Sequence, residues 1–492
     1  MSLHRFYPVY RRLPVWLQEQ ACGLYGYNFI RRTYNRRYHE IFQKLLDSEW
    51  WSASEIEAFQ NERITSLIAD AYENVQYYRE VMDSLKLKPS DIRSLADLPK
   101  LPILQKEDIR KNAGKFLSRK AHSRHLMFRH TSGTTGKSLH LYVNRETDLT
   151  QWAIWWRHRN RFGMRTDSWH VNFTANLFVP IDQREPPYWR WVKPMRQVVI
   201  NMHHFTASKI RPIVDFLNQH YFEFYTAFPS IVHIFAVTAC EAGLRLQNPP
   251  RVIFMGAENT LDFQRSFLED YLGSRIVDHY GFSEGCGNAS QCENGLYHED
   301  FELGALECVD AQAVSDGRVR GRVVVTGLTC HEFPFIRYDV GDIGVWESPS
   351  VACPCGRQSR LILKVEGRED DYVVTPEGRR LMRFDFIFKD AGNVYEAQVV
   401  QEEPGKVRIF IVRRPQYSSR DESFILKELR KWISQTLDVE FVYVPTIERE
   451  PSGKFRAVKS MLGMSHKEII PDSCAHPVSQ LPYMDIQTTM PA

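Results

Sequence analysis

The sequence predicts an α/β protein. A large N-terminal domain of mixed, mostly parallel sheets and helices spans residues 1–366, and a small α+β C-terminal domain spans 367–464. Three observations carry this expectation. Residues 1–90 are mainly helical in pattern, with apolar side chains recurring at helical spacing from residue 15. From about residue 125, short apolar strands alternate with helices, the βαβ rhythm of a parallel sheet. After Gly367 a second, shorter alternation begins, long enough for a domain of its own.

Each element follows from local chemistry. SASEIEAFQNERITSLIADAYENV opens at Ser52 or Ser54 and places Ile56, Phe59, Ile64, Leu67, Ile68 and Ala71 near a 3.6-residue period, a capped helix. LADLPKLPIL carries two prolines and reads as a connection. RHLMFRH and SLHLYVN are strand candidates flanking a Gly/Ser/Thr loop. FEFYTAF, RVIFMGA and SRIVDHYG read as buried strands, with LDFQRSFLEDYL a helix between the last two. RVRGRVVVTGL and IGVWESP continue the sheet. In the C-terminal domain, YEAQVVQE, KVRIFIVRR and VEFVYVPTI are strands, and DESFILKELRKWISQTL is an amphipathic helix. Residues 465–492 are polar and aperiodic, which predicts a disordered tail.

Composition excludes several classes. A net charge of +3 over 492 residues lacks the basic excess of a nucleic-acid binder, so no nucleic-acid partner is expected. Nine cysteines are too sparse for a disulfide scaffold and suit reduced thiols in a cytoplasmic protein. No apolar run is long enough to span a bilayer. Residues 1–50 hold eight Lys/Arg against four Asp/Glu, interleaved with aromatics such as Tyr7, Trp16, Tyr25 and Tyr27. We read this segment as a basic, aromatic helix packed on its own domain; peripheral contact with an anionic membrane is the alternative.

The chemistry is carried by short motifs. In HTSGTTGKS, small hydroxyl residues and glycines let backbone N–H groups approach a polyphosphate, and Lys137 adds a point charge. It is not a P-loop: Thr131 stands where the first glycine belongs, and the following SLHLYVN alternates like a strand. YGFSEG follows a strand, at the end of an open sheet where ligands bind, and Glu284 within it suits Mg²⁺. GAE at Gly256–Glu258 ends the preceding strand. FIRYDVGD offers Asp339 and Asp342 as acceptors for ribose hydroxyls. EREPSGKFR sets Lys454 in a Pro/Gly turn.

The order of these motifs over about residues 10–462 resembles the adenylate-forming superfamily, most closely its phenylacetate-CoA ligase branch and CapK-like relatives. The resemblance implies positions for each part. Thr131, Ser132, Gly133, Thr134, Thr135, Gly136 and Lys137 match the loop for the β- and γ-phosphates of ATP. Gly256, Ala257 and Glu258 match the segment beside the adenine, and Tyr280, with Gly281 after it, the residue stacking near the base. Ser283 stands where most relatives carry Thr, Glu284 matches the Mg²⁺ ligand and Asp342 the ribose-binding aspartate. Arg368 and Asp370 match the hinge of a mobile C-terminal domain, and Lys454 matches the catalytic lysine of adenylation.

The implied activity is that of an AMP-forming ligase. A carboxylic acid is activated by ATP and Mg²⁺ to an acyl-adenylate, and the acyl group passes to a thiol, CoA or a carrier, or to an amine. CapK-type relatives further suggest polysaccharide biosynthesis. Two alternatives stand beside this: an adenylyltransferase acting on a non-carboxylate cofactor, and a non-catalytic nucleotide binder. After the hinge the chain reads DDYVVTPEGRRL, unlike standard phenylacetate-CoA ligases, which leaves CoA and phenylacetate open as substrates. FTANLF (Phe173–Phe178) and YTAFPS (Tyr225–Ser230) are candidates to line the acyl pocket, with core packing the favoured reading.

Cys292, His298, Cys353 and Cys355 offer three thiolates and an imidazole, a set suited to tetrahedral structural zinc; the alternative is four unrelated buried residues. Similar Cys/His positions occur in phenylacetate-ligase relatives, some with structural zinc. Cys286 is the substitute ligand, and Cys308 and Cys330 read as core thiols.

Overall fold

The computed structural model describes residues 7–122, 126–130, 140–174, 176–314, 317–368, 373–376, 380–381, 385–388, 393–449 and 455–462. The expectations for Thr131–Lys137, Asp370, Lys454 and the tail beyond residue 464 lie outside the described residues.

The N-terminal region is helical: α1 (Tyr7–Tyr10), α2 (Val15–Thr33), α3 (Arg36–Ser48), α4 (Ala53–Asn74), α5 (Gln76–Ser84) and α6 (Lys106–Phe116). Capping chemistry sets the breaks. The Asn35 side chain accepts from Tyr38 N–H at the start of α3. Ser52 and Glu55 form a reciprocal capping box on α4, satisfying two otherwise orphaned donors. Ile56, Ile64, Leu67, Ile68 and Ala71 then form the buried stripe of α4, as their spacing predicts. α2 packs on its own domain through Cys22 and Gly26, against Val192 and Met195.

A hairpin of β1 (Leu126–His130) and β2 (His140–Asn144) is followed by α7 (Arg145–Asn160), β3 (His170–Thr174), β4 (Trp189–Val192), β5 (Gln197–Asn201) and α8 (Ile210–Gln219). Next come β6 (Phe224–Ala227), α9 (Pro229–Glu241), β7 (Val252–Met255), α10 (Asp262–Leu272) and β8 (Arg275–Gly281). β9 (Asn288–Gln291), β10 (Tyr297–Glu299), β11 (Gly304–Ala313), β12 (Val319–Gly327), β13 (Tyr338–Trp346) and β14 (Leu361–Arg368) complete a 12-stranded sheet. Its order is β11-β12-β13-β14-β10-β9-β8-β7-β6-β3-β5-β4.

The parallel part is the run β5-β3-β6-β7-β8, where helices connect successive strands. From β8 onward every pairing is antiparallel. The expected predominance of parallel pairing thus holds for one half of the sheet. Much of the other half is joined by turns too short for a crossover, such as Cys292–Leu296 between β9 and β10.

α7 and the residue that follows it contribute Arg157 and Arg161 to a buried ionic network. Arg157 donates to Asp300 at 2.8 Å and to Glu302 at 2.6 Å. Arg161 and Arg357 both donate to Glu49, at 2.7 and 2.6 Å, and Arg357 reaches Glu293 at 2.8 Å. Burial would lift the Asp300 and Glu49 carboxyls, but the surrounding guanidiniums outweigh it and hold both below the ordinary range.

The C-terminal unit consists of β15 (Val373–Val374), β16 (Arg380–Leu381), α11 (Asp385–Phe388), β17 (Val394–Glu403), β18 (Lys406–Arg413), α12 (Ser419–Trp432), β19 (Asp438–Tyr443) and β20 (Val458–Ser460). Its main sheet runs β19-β18-β17-β20, with Ile425 and Leu429 of α12 buried against Val399, Ile409 and Ile411. α12 stops at Trp432, short of the expected Leu437. There the Ser434 hydroxyl accepts from Thr436 and Leu437 N–H, offering the backbone an alternative to another helical turn.

Candidate functional site

The candidate site lies where β7 and β8 end and the sheet changes from parallel to antiparallel. Gly256, Ala257 and Glu258 leave β7, Tyr280 and Gly281 end β8, and Asp342 lies on β13. Gly256 packs so closely on the His279 ring that a Cβ would clash with it, which accounts for glycine there. Ala257 holds a positive φ of 68°, turning the chain sharply toward Glu258. The His279 imidazole accepts or donates at Met255 O over 2.9 Å, and burial beside Arg159 pushes its pKa down to about 4.

Two carboxylates present themselves. Tyr280 OH donates to Asp342 Oδ2 at 2.6 Å, so the tyrosine expected near the base is tied to the aspartate expected at the ribose. Tyr338 OH donates to Glu284 Oε1 at 3.0 Å. The other Glu284 oxygen has no hydrogen bond among the described residues. Hard carboxylate oxygens of this kind suit Mg²⁺ held together with substrate phosphates.

The segment bearing Ser283 is braced from behind. Arg129 Nη1 donates to Ser283 O at 3.1 Å, and Gln151 Nε2 donates to Phe282 O at 3.2 Å. Arg129 also pairs with Asp148 at 2.7 Å. Arg129 lies on β1, whose last residue, His130, directly precedes Thr131. Sequence reasoning missed Arg129 and Gln151, because their partners are backbone carbonyls more than 100 residues away. Lys106, also missed, donates to Val340 O at 3.1 Å beside Asp342.

Glu258, expected in the segment beside the adenine, has its carboxylate engaged by protein donors. Its carboxylate accepts from Ser230 N–H and Ser230 Oγ, both at 3.1 Å, and from Phe455 N–H at 2.6 Å. Burial raises its pKa despite these bonds. Phe455 belongs to the C-terminal unit and follows Lys454 in the chain. The same unit touches α9 again through Tyr395 OH and Thr238 Oγ1 at 2.6 Å, and through Arg414 and Glu241 at 3.4 Å. Ser230, Thr238 and Glu241 lie near one side of a mostly apolar helix, a signal visible in the sequence but unassigned.

Other expected residues find different uses. Asp339, offered with Asp342 as an acceptor for ribose hydroxyls, is held by Arg322 at 2.6 Å and by Gly341 N–H at 2.8 Å. Phe173 and Tyr225 are buried in the core between the sheet and α8–α9, in line with core packing. The Arg368 backbone pairs with Asp342, and Gly367 before it has a φ of 113°.

Cys292, His298, Cys353 and Cys355 converge, with ligand atoms all within 4.8 Å of one another. The Cys292 and Cys353 sulfurs are 3.7 Å apart, and Cys355 Sγ is 3.2 Å from His298 Nε2. Zinc bonds of about 2.3 Å to sulfur and 2.0 Å to nitrogen give tetrahedral edges of roughly 3.3–3.8 Å, so the set fits that ion. Ser359 Oγ is 3.4 Å from His298 Nδ1, an outer partner of the kind that orients a ligating imidazole. Cys286 is not part of this group; it is buried between Gly304 and Gly327. Cys330 is buried and Cys308 partly so.

Comparison with known proteins agrees with this architecture. Residues 373–461 match the CapK C-terminal domain family. Over 463 residues the chain is 24% identical to protein CapK of Staphylococcus aureus, covering 91% of this chain and 98% of that protein. It is 27% identical over 339 residues to a phenylacetate-coenzyme A ligase of Aromatoleum evansii, covering 66% and 72% of the two chains. In fold it is similar to 2-hydroxyisobutyryl-CoA ligase in the postadenylation state in complex with R3-HIB-AMP. That TM-score is 0.64 at 18% identity, covering 85% of this chain and 92% of that one. Against the same ligase in the thioesterification state with 2-HIB-AMP and CoA, the TM-score is 0.52. Residues 373–461 thus carry the CapK C-terminal domain, and over most of its length the chain is similar to CapK and to phenylacetate-CoA ligases, on a fold shared with an acyl-CoA ligase.

Proposed function

We propose that this chain is an ATP-dependent, AMP-forming acid ligase with its reaction centre at the ends of β7, β8 and β13. The single observation that carries this is the Phe455 N–H bond to Glu258. It ties the residue after Lys454 to the segment leaving β7, on the sheet end that also bears Tyr280 and Glu284. A binding module has no need to bring a C-terminal lysine turn to a nucleotide groove.

In this reading Asp342, oriented by Tyr280, accepts from the ribose hydroxyls of ATP, and the Thr131–Lys137 loop cradles its β- and γ-phosphates. Glu284 would hold Mg²⁺, which when bound would supply positive charge to the polyphosphate. The substrate carboxylate attacks the α-phosphate, the bond to the β-phosphate oxygen breaks, and pyrophosphate leaves with acyl-AMP remaining. Lys454 supplies a fixed positive charge to that transition state, where like charges meet. In the second step a thiol sulfur attacks the acyl carbon, AMP departs with the C–O bond electrons, and the thiol proton is released. Relatives that bind CoA make it our choice of acceptor. The C-terminal domain, 367–464, turns about Asp370 between the two steps.

We further assign Cys292, His298, Cys353 and Cys355 as a structural zinc site remote from this chemistry, on the strength of the tetrahedral spacing.

Acid-dependent ATP–pyrophosphate exchange across aromatic, fatty, hydroxy and amino acids tests the proposal, with Lys454→Ala as control. Exchange that requires one acid class and collapses in the variant supports it. ATP binding without exchange for any acid refutes carboxylate activation and favours transfer of AMP to another acceptor.

A further inference from the structure

The face of α2 turned away from the domain is unlike an ordinary protein surface. Trp16, Gln20, Leu24, Tyr27 and Arg31 recur every three or four residues, and at 3.6 residues per turn they share an arc of roughly 90°. Gln18, Cys22, Gly26 and Thr33 form the opposite, buried side. Trp16 and Leu24 are each 63% exposed and Tyr27 58%, whereas packed side chains of these types are normally covered. Val9 just before the helix is exposed as well. So is Ile181, on a loop joined to this region by the Arg11–Asp182 pair at 3.5 Å. Trp16, Leu24 and Tyr27 thus expose three large apolar side chains on one face of α2, and exposed apolar surface of this kind marks interaction sites.

The rim is cationic. Between Val9 and Arg32 the chain carries Arg11, Arg12, Arg31 and Arg32 against one acid, Glu19. Among the described residues, Arg12 and Arg31 have no ion pair.

We propose that this face of α2 docks the protein on an anionic phospholipid bilayer. Trp16 and Tyr27 have amphipathic rings suited to the headgroup boundary, Leu24 and Val9 enter the upper acyl region, and the arginines meet lipid phosphates. Charge selects this occupant over a second copy of the chain. Two such faces pressed together would oppose arginine to arginine, whereas an anionic lipid surface complements them. The proposal is independent of the ligase reading, since no α2 residue is placed in the reaction centre.

The test is flotation of the full-length chain with vesicles of phosphatidylcholine and phosphatidylglycerol in equal parts, against pure phosphatidylcholine. A double variant, Trp16→Ser with Leu24→Ser, removes the apolar contacts, and Arg12→Gln with Arg31→Gln removes charge. Expected is binding to the anionic vesicles that weakens at high salt, falls at least tenfold in each double variant, and is weak on neutral vesicles. ATP–pyrophosphate exchange or, failing that, circular dichroism verifies that the variants fold. No binding to anionic vesicles overturns the proposal, as does equal binding to both vesicle types or binding unchanged in the variants. A concentration-dependent dimer in sedimentation velocity that the Ser variant abolishes, without vesicle binding, assigns the face to a second copy instead.

Discussion

Replacing Glu258 with alanine separates the two half-reactions. The Glu258 carboxylate is the acceptor for Phe455 N–H, a bond between the large domain and the C-terminal unit. A hydrogen bond to a charged acceptor contributes roughly 1.5–3 kcal/mol. At about 1.4 kcal/mol per tenfold, its loss lowers the population of the docked arrangement by about 10- to 150-fold relative to the undocked one. Glu258→Gln keeps an oxygen acceptor and a neutral bond of roughly 0.5–1.5 kcal/mol, so the loss is the difference of about 1–1.5 kcal/mol, or about 5- to 12-fold. Ser230→Ala is the internal control. It removes a bond that Glu258 makes within its own domain and leaves the Phe455 contact in place. Adenylation is read by ATP–pyrophosphate exchange, and the second step by single-turnover consumption of synthetic acyl-adenylate with CoA. Exchange should fall in the order Ala, Gln, Ser230→Ala, with acyl-adenylate consumption preserved. Equal losses in both half-reactions, or a Ser230→Ala loss as large as that of Glu258→Ala, would refute the role of this contact.

Further outcomes follow from the same geometry. Tyr280→Phe frees Asp342 from its 2.6 Å bond and should raise the KM for ATP about tenfold with a smaller effect on kcat, measured by steady-state kinetics. Glu284→Gln should lower exchange by on the order of 100-fold and raise the Mg²⁺ concentration needed, with an unchanged melting temperature. Plasma mass spectrometry should find about one zinc per chain, lost with a drop in melting temperature in Cys353→Ser; a metal-free protein of unchanged stability would dismiss the site. Asp300 and Glu49 have folded pKa values below their unfolded ones, so their contribution to stability is complete above about pH 4–5. It is lost as pH falls through the depressed values, and melting temperatures taken from pH 7 to 3 should show the decline beginning there.

Much of this was legible in the chain itself. β6 and β7 were readable because buried parallel strands are continuous apolar runs. α4 was readable because its caps and its stripe agree. What was not legible depended on strand pairing. Asp339 and Asp342 are chemically identical and three residues apart, and only the approach of Arg322 from β12 sets the first apart. In the sequence Cys286 stands as a substitute for Cys292; the β9–β10 turn carries Cys292 to the Cys353–Cys355 loop and leaves Cys286 elsewhere. Glu258 stands in the GAE segment that the resemblance sets beside a nucleotide, and its carboxylate accepts from Phe455 of the C-terminal unit, a contact no local pattern encodes. The N-terminal segment was read as packed on its domain, and it is; that its other face stays exposed required the partner surface to be known.

The arginine network has a temporal side. Glu49 and Arg357 are separated by 308 positions in the chain. At synthesis rates of about 5–20 residues per second, the first emerges roughly 15–60 s before the second exists. For that interval Glu49 has at most Arg161, 112 positions after it, as a counter-charge, and over the last 61 positions before Cys353 the turn bearing Cys292 still lacks its partners at Cys353 and Cys355. Anchoring the first helices of the chain to some of its later-made strands makes the large domain an assembly that completes near the end of translation. Truncated products would then remain open, with their charges hydrated, rather than settle into a stable partial domain.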